Sequence, residues 1–200
     1  MKISELFPIV MTRLSGPALC SLFEAVREVQ GIIVNRRLAK QSPLLVKGID
    51  AELEYLAGDT GMALPRDFLA FAGRPYVEGE TPLAPLGSAS ASRMTAVGKP
   101  TCYDLAGRTL RIHPPPAETT TVLVPYFYRP AILSTMEDEL PFWGEFDAVF
   151  IEGCAGVLSS GLAVVADRAF VSLIQSQVDT VLADKELTAE QNLADALNER

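Results

Sequence analysis

Apolar residues recur at helical spacing near both ends of the chain and break into short, proline-punctuated runs between them. Ile3 to Leu14 holds enough apolar positions for a short helix, capped by Ser4 or the terminus and limited in regularity by Pro8, which lacks a backbone donor. Ser15-Gly16-Pro17 reads as the start of a second helix. It places Leu19, Leu22, Phe23, Val26, Gln30 and Ile33 on one face, and Asn35-Arg36-Arg37 sets cations at the negative end of its dipole. These two helices are expected to form an antiparallel pair.

The period changes from about residue 42 to 135. "AELEYLA" (51–57), "DFLAFAG" (67–73), "PYVEG" (75–79), "TLRIH" (109–113) and "TVLVPYFY" (121–128) are the strand candidates. Between Pro82 and Pro100 the small and polar residues of "PLAPLGSASASRMTAVGKP" predict a long loop, of a length that points to a functional or partner-ordered segment.

Helical spacing returns at Asp147, with Phe150, Cys154, Val157 and Leu158 on one face. The other positions are small, among them Gly153, Gly156 and Ser160; they let another backbone approach closely, although glycines weaken a helix. "DRAFVSLIQSQVDTVLADKE" (167–186) is the strongest helix, with Phe170, Leu173, Ile174, Val178, Val181 and Leu182 on one stripe. A last amphipathic helix is expected to begin at a capping box of Thr188 and Gln191. Helices, strands, then helices predict an α+β fold. It has an N-terminal helix pair, a central antiparallel β-hairpin and sheet region with long loops, and C-terminal helices that form a bundle with the N-terminal pair. The organisation is one domain over 1–200: 1–40 helical, 42–135 a β-rich insertion, 145–200 helical.

Composition narrows the function. With 48% hydrophobic and 21% charged residues over 200 positions, the chain can bury a real core. A formal net charge of −8 opposes binding to nucleic acid by phosphate neutralisation, though not a contact in which repulsion is useful. Cys20, Cys102 and Cys154 stand singly, without a CxxC and with one histidine, so neither a zinc site nor a disulfide framework is indicated. A reducing compartment follows. Glu5 and Pro8 interrupt any signal-peptide core, and no run approaches the ~20 apolar residues that span a bilayer. The expectation is a soluble protein, cytosolic when made, without a membrane partner.

The sequence offers little catalytic equipment. His113 is the only histidine, and a general base needs an orienting partner and a nucleophile within hydrogen-bond reach. No partner is evident for it. Cys154 is the one thiol to consider, and it falls on the apolar stripe of a predicted helix, where a free cysteine serves as a small hydrophobe. No GxSxG elbow, phosphate loop or HExxH is present. "HPPPAE" (113–118) reads as a rigid, edge-blocking turn of a hairpin rather than a polyproline ligand. Glu137-Asp138-Glu139 reads as a solvated turn, without the regular oxygen spacing of a calcium loop. The Asn35-Arg36-Arg37 segment and Lys40 form the only notable basic patch. Catalytic, cofactor-binding and metal-binding residues are therefore none.

Two stretches carry a resemblance. "MALPRDFLAFAGRPYVEGETPLAPL" (62–86) resembles the "LPxDF" segment of tailed-bacteriophage head-to-tail adaptor proteins, also called connector, head-completion or tail tubular protein A-like proteins. "YDLAGRTLRIHPPPAETTTVLVPYFYRPAILS" (103–134) resembles that family's later hairpin, ending here in "YFYRPAILS". The likeness extends over nearly the whole chain in element order. It implies a structural virion protein, not an enzyme and without a cofactor, at the head–tail junction of the virion and in the host cytoplasm during assembly. Its partners would be the portal protein, tail or nozzle proteins, and further copies of itself in a ring, commonly a dodecamer, that extends the DNA channel.

The resemblance assigns Leu64, Pro65, Asp67 and Phe68 to fold placement. It assigns Tyr126, Tyr128, Arg129 and Pro130 to the second motif, with Arg129-Pro130 leading from the hairpin into the helical part. It places portal contact in the C-terminal segment, about 185–200. A ring of about twelve copies, each at −8, has an acidic lumen that lets DNA pass without sticking or sequence-specific binding. Two other classes stay open behind it: a cytosolic binding module or acidic assembly chaperone, and last a thiol enzyme using Cys154 and His113.

Overall fold

The structure, a computed structural model, describes residues 1–40, 51–87, 96–142 and 144–198. The chain divides into two compact units. One is helical, Met1–Leu44 with Pro130–Arg200, and the other is β-rich, Leu45–Arg129.

In the helical unit, α1 (Ile3–Met11) buries Ile3, Leu6 and Val10, one face of a 3.6-residue period. Its N-cap is Lys2 rather than Ser4, and the Lys2 N–H donates to the Glu5 carboxylate at 2.9 Å. Helix α2 (Leu22–Ala39) starts later than the Ser15-Gly16-Pro17 signal suggested. The reason is a reciprocal cap: Ser21 Oγ accepts from Glu24 N at 3.2 Å, and Glu24 Oε2 accepts from Ser21 N at 2.9 Å. Two orphan donors are satisfied there at once, which a proline at residue 17 does not achieve. Leu19, placed in the helical stripe by spacing, is instead 61% exposed in the preceding loop. Ser21→Ala is expected to lower stability by about 1 kcal/mol, read as a thermal midpoint about 2–4 °C lower.

Helix α3 (Asp147–Ser160) leads through a 3-10 turn (Leu162–Ala166) into α4 (Arg168–Asn198). The expected start of a further helix at Thr188 is not seen; α4 is continuous. No glycine or proline interrupts 168–198, so every turn keeps its i→i−4 bonds and a capping box has no orphan donors to serve. Helix α2 packs on α3 and α4, while α1 packs on α3 rather than forming the expected pair with α2. Ile174, Val178 and Leu182 of α4 are buried, but Leu173 points out at 57% exposure. The small residues of α3 are what bring these helices close. A Cβ added at Gly153 lies 2.7 Å from Val29 Cγ2 of α2, and one at Gly156 lies 2.6 Å from Phe170 Cε2 of α4.

Among the described residues the β-rich unit has nine short strands: β1 (Ala51–Tyr55), β2 (Met62–Ala63), β3 (Phe68–Phe71), β4 (Tyr76–Val77), β5 (Ala84–Pro85), β6 (Cys102–Ala106), β7 (Thr109–His113), β8 (Thr120–Val124) and β9 (Tyr126–Tyr128). They form three sheets, ordered β1-β8-β4, β2-β7-β6-β5 and β3-β9. All pairs are antiparallel except β5 with β6. One core joins the sheets, built from Tyr55, Leu64, Leu110, Ile112, Val122 and Tyr126 among others.

The predicted run 121–128 is two strands, because Pro125 has no N–H for a ladder and marks the change of sheet. The hairpin expected between 109–113 and 121–128 does not form. Strand β7 pairs with β6 and β2, β8 pairs with β1 and β4, and the three prolines after His113 carry the chain from one sheet to the other. The real hairpin is β6–β7, whose two-residue loop Gly107-Arg108 has a positive φ (64°) at Gly107 alone, the pattern of a type II′ turn. In the predicted loop, 88–95 lies outside the described residues; next to it, β5 is an ordered strand.

Candidate assembly site

At one corner of the β-rich unit the two motif segments meet. Leu64 is buried, and its N–H donates to Arg108 O at 3.0 Å. The Pro65 carbonyl accepts from Phe68 N at 3.0 Å and also from the Arg108 guanidinium. Asp67 holds the second segment in two ways: its carbonyl accepts from Arg129 N at 2.7 Å, and its carboxylate accepts from the Tyr126 hydroxyl at 3.0 Å. The Phe68 ring stacks on Tyr126 with centroids 5.8 Å apart, and Phe68 pairs with Tyr128 across β3–β9. Thus Leu64, Pro65, Asp67 and Phe68 lie together with Tyr126, Tyr128 and Arg129. Pro130 follows, buried, as the chain returns to the helical unit, and its carbonyl accepts from Gln30 Nε2 of α2 at 3.5 Å. Sequence reasoning did not single out Arg66 and Arg108 at the same corner. The Gly-Arg turn signal at 107–108 could have found the second.

His113 does have a partner. Its Nε2 lies 2.9 Å from Asp104 Oδ1 on the neighbouring strand, and both side chains are buried. Apolar patterning alone does not mark β6 as a strand, and the signal that does is the Gly-Arg turn within "YDLAGRTL". His113 and Cys154 belong to different units, the first to the β-rich and the second to the helical one. Cys154 is fully buried, and burial, aided by nearby Cys20, pushes its thiol up to about 12. A thiol so placed is protonated at neutral pH and is not the nucleophilic form. At pH 7.5 an alkylating probe is expected to label Cys154 about a thousandfold more slowly in the folded protein than in denaturant, measured by peptide mass spectrometry. Comparable rates in both would refute this burial. Among the described residues, no three His, Cys, Asp or Glu side chains gather as a metal cluster, and no helix is long and apolar enough to cross a membrane.

The helical unit uses its charges internally. Arg36 binds Asp179 of α4 through two parallel bonds, Nε to Oδ1 at 2.8 Å and Nη2 to Oδ2 at 2.5 Å, and this bidentate pairing holds the Asp179 carboxyl below the usual carboxylate range. Arg37 is fully buried, its guanidinium carbon 4.1 Å from the Phe142 ring centroid and 4.7 Å from that of Phe146. Arg36 and Arg37 do lie in the last turn of α2, at the negative end of its dipole as expected, but they form no shared basic patch, because successive residues of a helix face about 100° apart and meet different neighbours. The acidic turn is as expected: the Asp138 carboxylate accepts from Ser134 N, Thr135 N and Thr135 Oγ1, which lower its pKa, while Glu137 and Glu139 stay exposed.

Two features of this unit offer apolar surface. A groove of about 510 Å³ is lined by Gly156 of α3, by Phe170, Leu173 and Ile174 of α4, and by the ion pair of Arg13 and Glu152. On α1, Phe7, Ile9 and Met11 remain exposed opposite the buried stripe.

A family model described as "SU10 adaptor protein" matches residues 1–199. No curated protein matches the chain.

Proposed function

The chain belongs to the SU10 adaptor protein family, a phage head-to-tail adaptor family, and from that premise we propose that it forms a ring beneath the portal. Membership implies a structural role in the virion and an association with portal and tail proteins. In the proposed assembly about twelve copies extend the DNA channel and present the surface on which the tail docks. Each chain acts as one adaptor domain in which both units take part, assembled in the host cytoplasm. Leu64, Pro65, Asp67, Phe68, Tyr126 and Tyr128 hold the corner, Arg129-Pro130 turns the chain back to the helices, and 185–200 meets the portal.

The observation that carries this reading is the extent of the family match, from residue 1 to 199, across both units and both motif segments. Charge supports it. The helical unit has nine basic against sixteen acidic residues, a net −7, and the β-rich unit eight against nine, a net −1. Repeated around a ring, the helical unit would present an acidic channel wall that repels phosphate. The decisive experiment mixes the purified protein with its cognate portal and images the product. A stacked ring is expected, and the protein should be present in purified virions by mass spectrometry. Failure to stack on the portal, or presence only with unassembled partners, would overturn the adaptor role in favour of an assembly chaperone.

A further inference from the structure

The motif corner also gathers three exposed arginines. Arg66 sits between Pro65 and Asp67, and the carbonyls of those two neighbours take the Arg108 guanidinium and the Arg129 N–H. The Arg108 guanidinium and the Arg129 backbone are thus both bonded to the residues that flank Arg66, which places the three arginines at one corner. Among the described residues, no carboxylate forms a salt bridge with Arg66, Arg108 or Arg129. One carboxylate, Asp67, stands among these three arginines and already accepts from the Tyr126 hydroxyl, so the corner carries a surplus of positive charge in a chain of net −8, which an anionic surface would offset.

The same chain offers such a surface on its helical unit. Around the start of α1, Glu5, Glu137 and Glu139 are exposed and share a single cation, Lys2, whose ammonium lies 2.9 Å from Glu137. Lys2 is also bridged through its backbone to Glu139. One lysine among three carboxylates leaves a surplus of negative charge.

We propose that the arginine corner is a copy-to-copy contact, which receives the acidic helical face around Glu5, Glu137 and Glu139 of a second copy of this chain. The proposal rests on the ring assembly above. Two patches of opposite sign on one chain suit a heterologous contact, and a heterologous contact builds a ring when its rotation closes. Exposed charges of this kind fix register and speed encounter more than they bind, and arginine is suited to them because its planar fork meets carboxylates two bonds at a time. Nucleic acid is the less favoured occupant, since the chain as a whole repels phosphate and three arginines neutralise few of them.

The test compares full-length wild type, R66E/R129E, R66K/R129K and E137K/E139K, each checked for an unchanged thermal midpoint. Arg66 and Arg129 are chosen because neither guanidinium holds the fold; should the reversal fail to fold, R66Q/R129Q replaces it. Filling of the cognate portal and association of the free protein at up to about 200 µM are both followed by mass photometry and sedimentation, at low and high salt. The expected result is that R66E/R129E needs about ten-fold more protein to half-fill the portal. R66K/R129K should stay near wild type, and an equal mixture of R66E/R129E with E137K/E139K should assemble better than either alone.

If R66E/R129E fills the portal like wild type, the corner proposal falls and the adaptor role stands. If wild type does not bind the portal, the adaptor role falls and the corner is judged on the free protein. Salt-sensitive association lost in R66E/R129E then supports it, and its absence overturns it. Loss of affinity for a short DNA duplex on R66E/R129E substitution, with copy-to-copy association unchanged, also overturns it, in favour of a nucleic-acid contact.

Discussion

Replacing Arg37 with alanine is expected to destabilise the protein by about 3 kcal/mol, read from denaturant unfolding by circular dichroism at 222 nm. The side chain is fully buried on α2, with its guanidinium over the rings of Phe142 and Phe146, which are themselves buried and meet edge-on at 5.5 Å. Truncation removes the cation–π contact and opens a cavity beneath both rings. A second cost is coupled to it. Phe142 has φ 75°, a left-handed backbone that costs a non-glycine residue about 1–2 kcal/mol, and it is the one such non-glycine residue in the chain's described part. The strain is tolerated while the ring has Arg37 to pack on; without it, the segment after Leu140 has less reason to hold that turn.

Chemistry separates charge from shape in this contact. Arg37→Lys keeps the charge but loses the planar face, so it should recover less than half of the loss. Arg37→Met keeps apolar volume beneath the rings but removes the cation over them, so it should recover part of the loss and not all of it. An Arg37→Ala protein that unfolds at the wild-type denaturant concentration would show that the stack contributes nothing.

Arg37 also marks where sequence reading stops. Arg36 and Arg37 are adjacent and chemically identical, and nothing local distinguishes the one that pairs with Asp179, 143 positions away, from the one that enters the core. Position within the helix decides, and that is known only once α2 has been placed against its neighbours. What was legible obeyed local rules. Ile174, Val178 and Leu182 recur at helical spacing and are buried, and Phe150, Cys154, Val157 and Leu158 behave likewise. The strand at 68–71 is an apolar run and those at 51–55 and 109–113 alternate apolar with polar residues, each pattern a strand signal.

What was misread involved competition between signals or partners distant in sequence. Ser21 with Glu24 outweighed Pro17 as a helix start, and α1 took α3 as its neighbour across more than 130 residues. Strand β6 is not among the strand candidates that apolar patterning offers, so the partner of His113 is not legible either. At the motif corner, resemblance located Asp67 and Arg129. Only the fold shows that their segments touch and that Arg66 and Arg108 stand beside them.

Gly153→Leu should be as damaging as loss of Arg37, again about 3 kcal/mol, and for the opposite reason. The α2–α3 contact has no room even for the first carbon of a side chain. An added Cβ meets Val29 Cγ2 at 2.7 Å, Val29 Cγ1 at 3.0 Å and Ile174 Cδ1 at 3.3 Å, and both neighbours are themselves almost wholly buried. Val29 cannot turn aside, since a β-branched side chain in a helix has essentially one rotamer. Gly153→Ala gains about 1 kcal/mol of helix propensity, which offsets part of the clash, so a smaller net loss is expected from it. Gly156→Ala is the contrasting case. Its added Cβ meets Phe170 Cε2 at 2.6 Å, but Phe170 is only half-buried beside the groove and has somewhere to swing. That variant should unfold within about 1 kcal/mol of wild type. The pair therefore decides what the small residues of α3 are for. A large loss at 153 with little at 156 means that they set helix spacing inside one chain. Unchanged stability for Gly153→Leu would mean that α2 and α3 do not approach this closely, and the close packing described for the helical unit would be wrong.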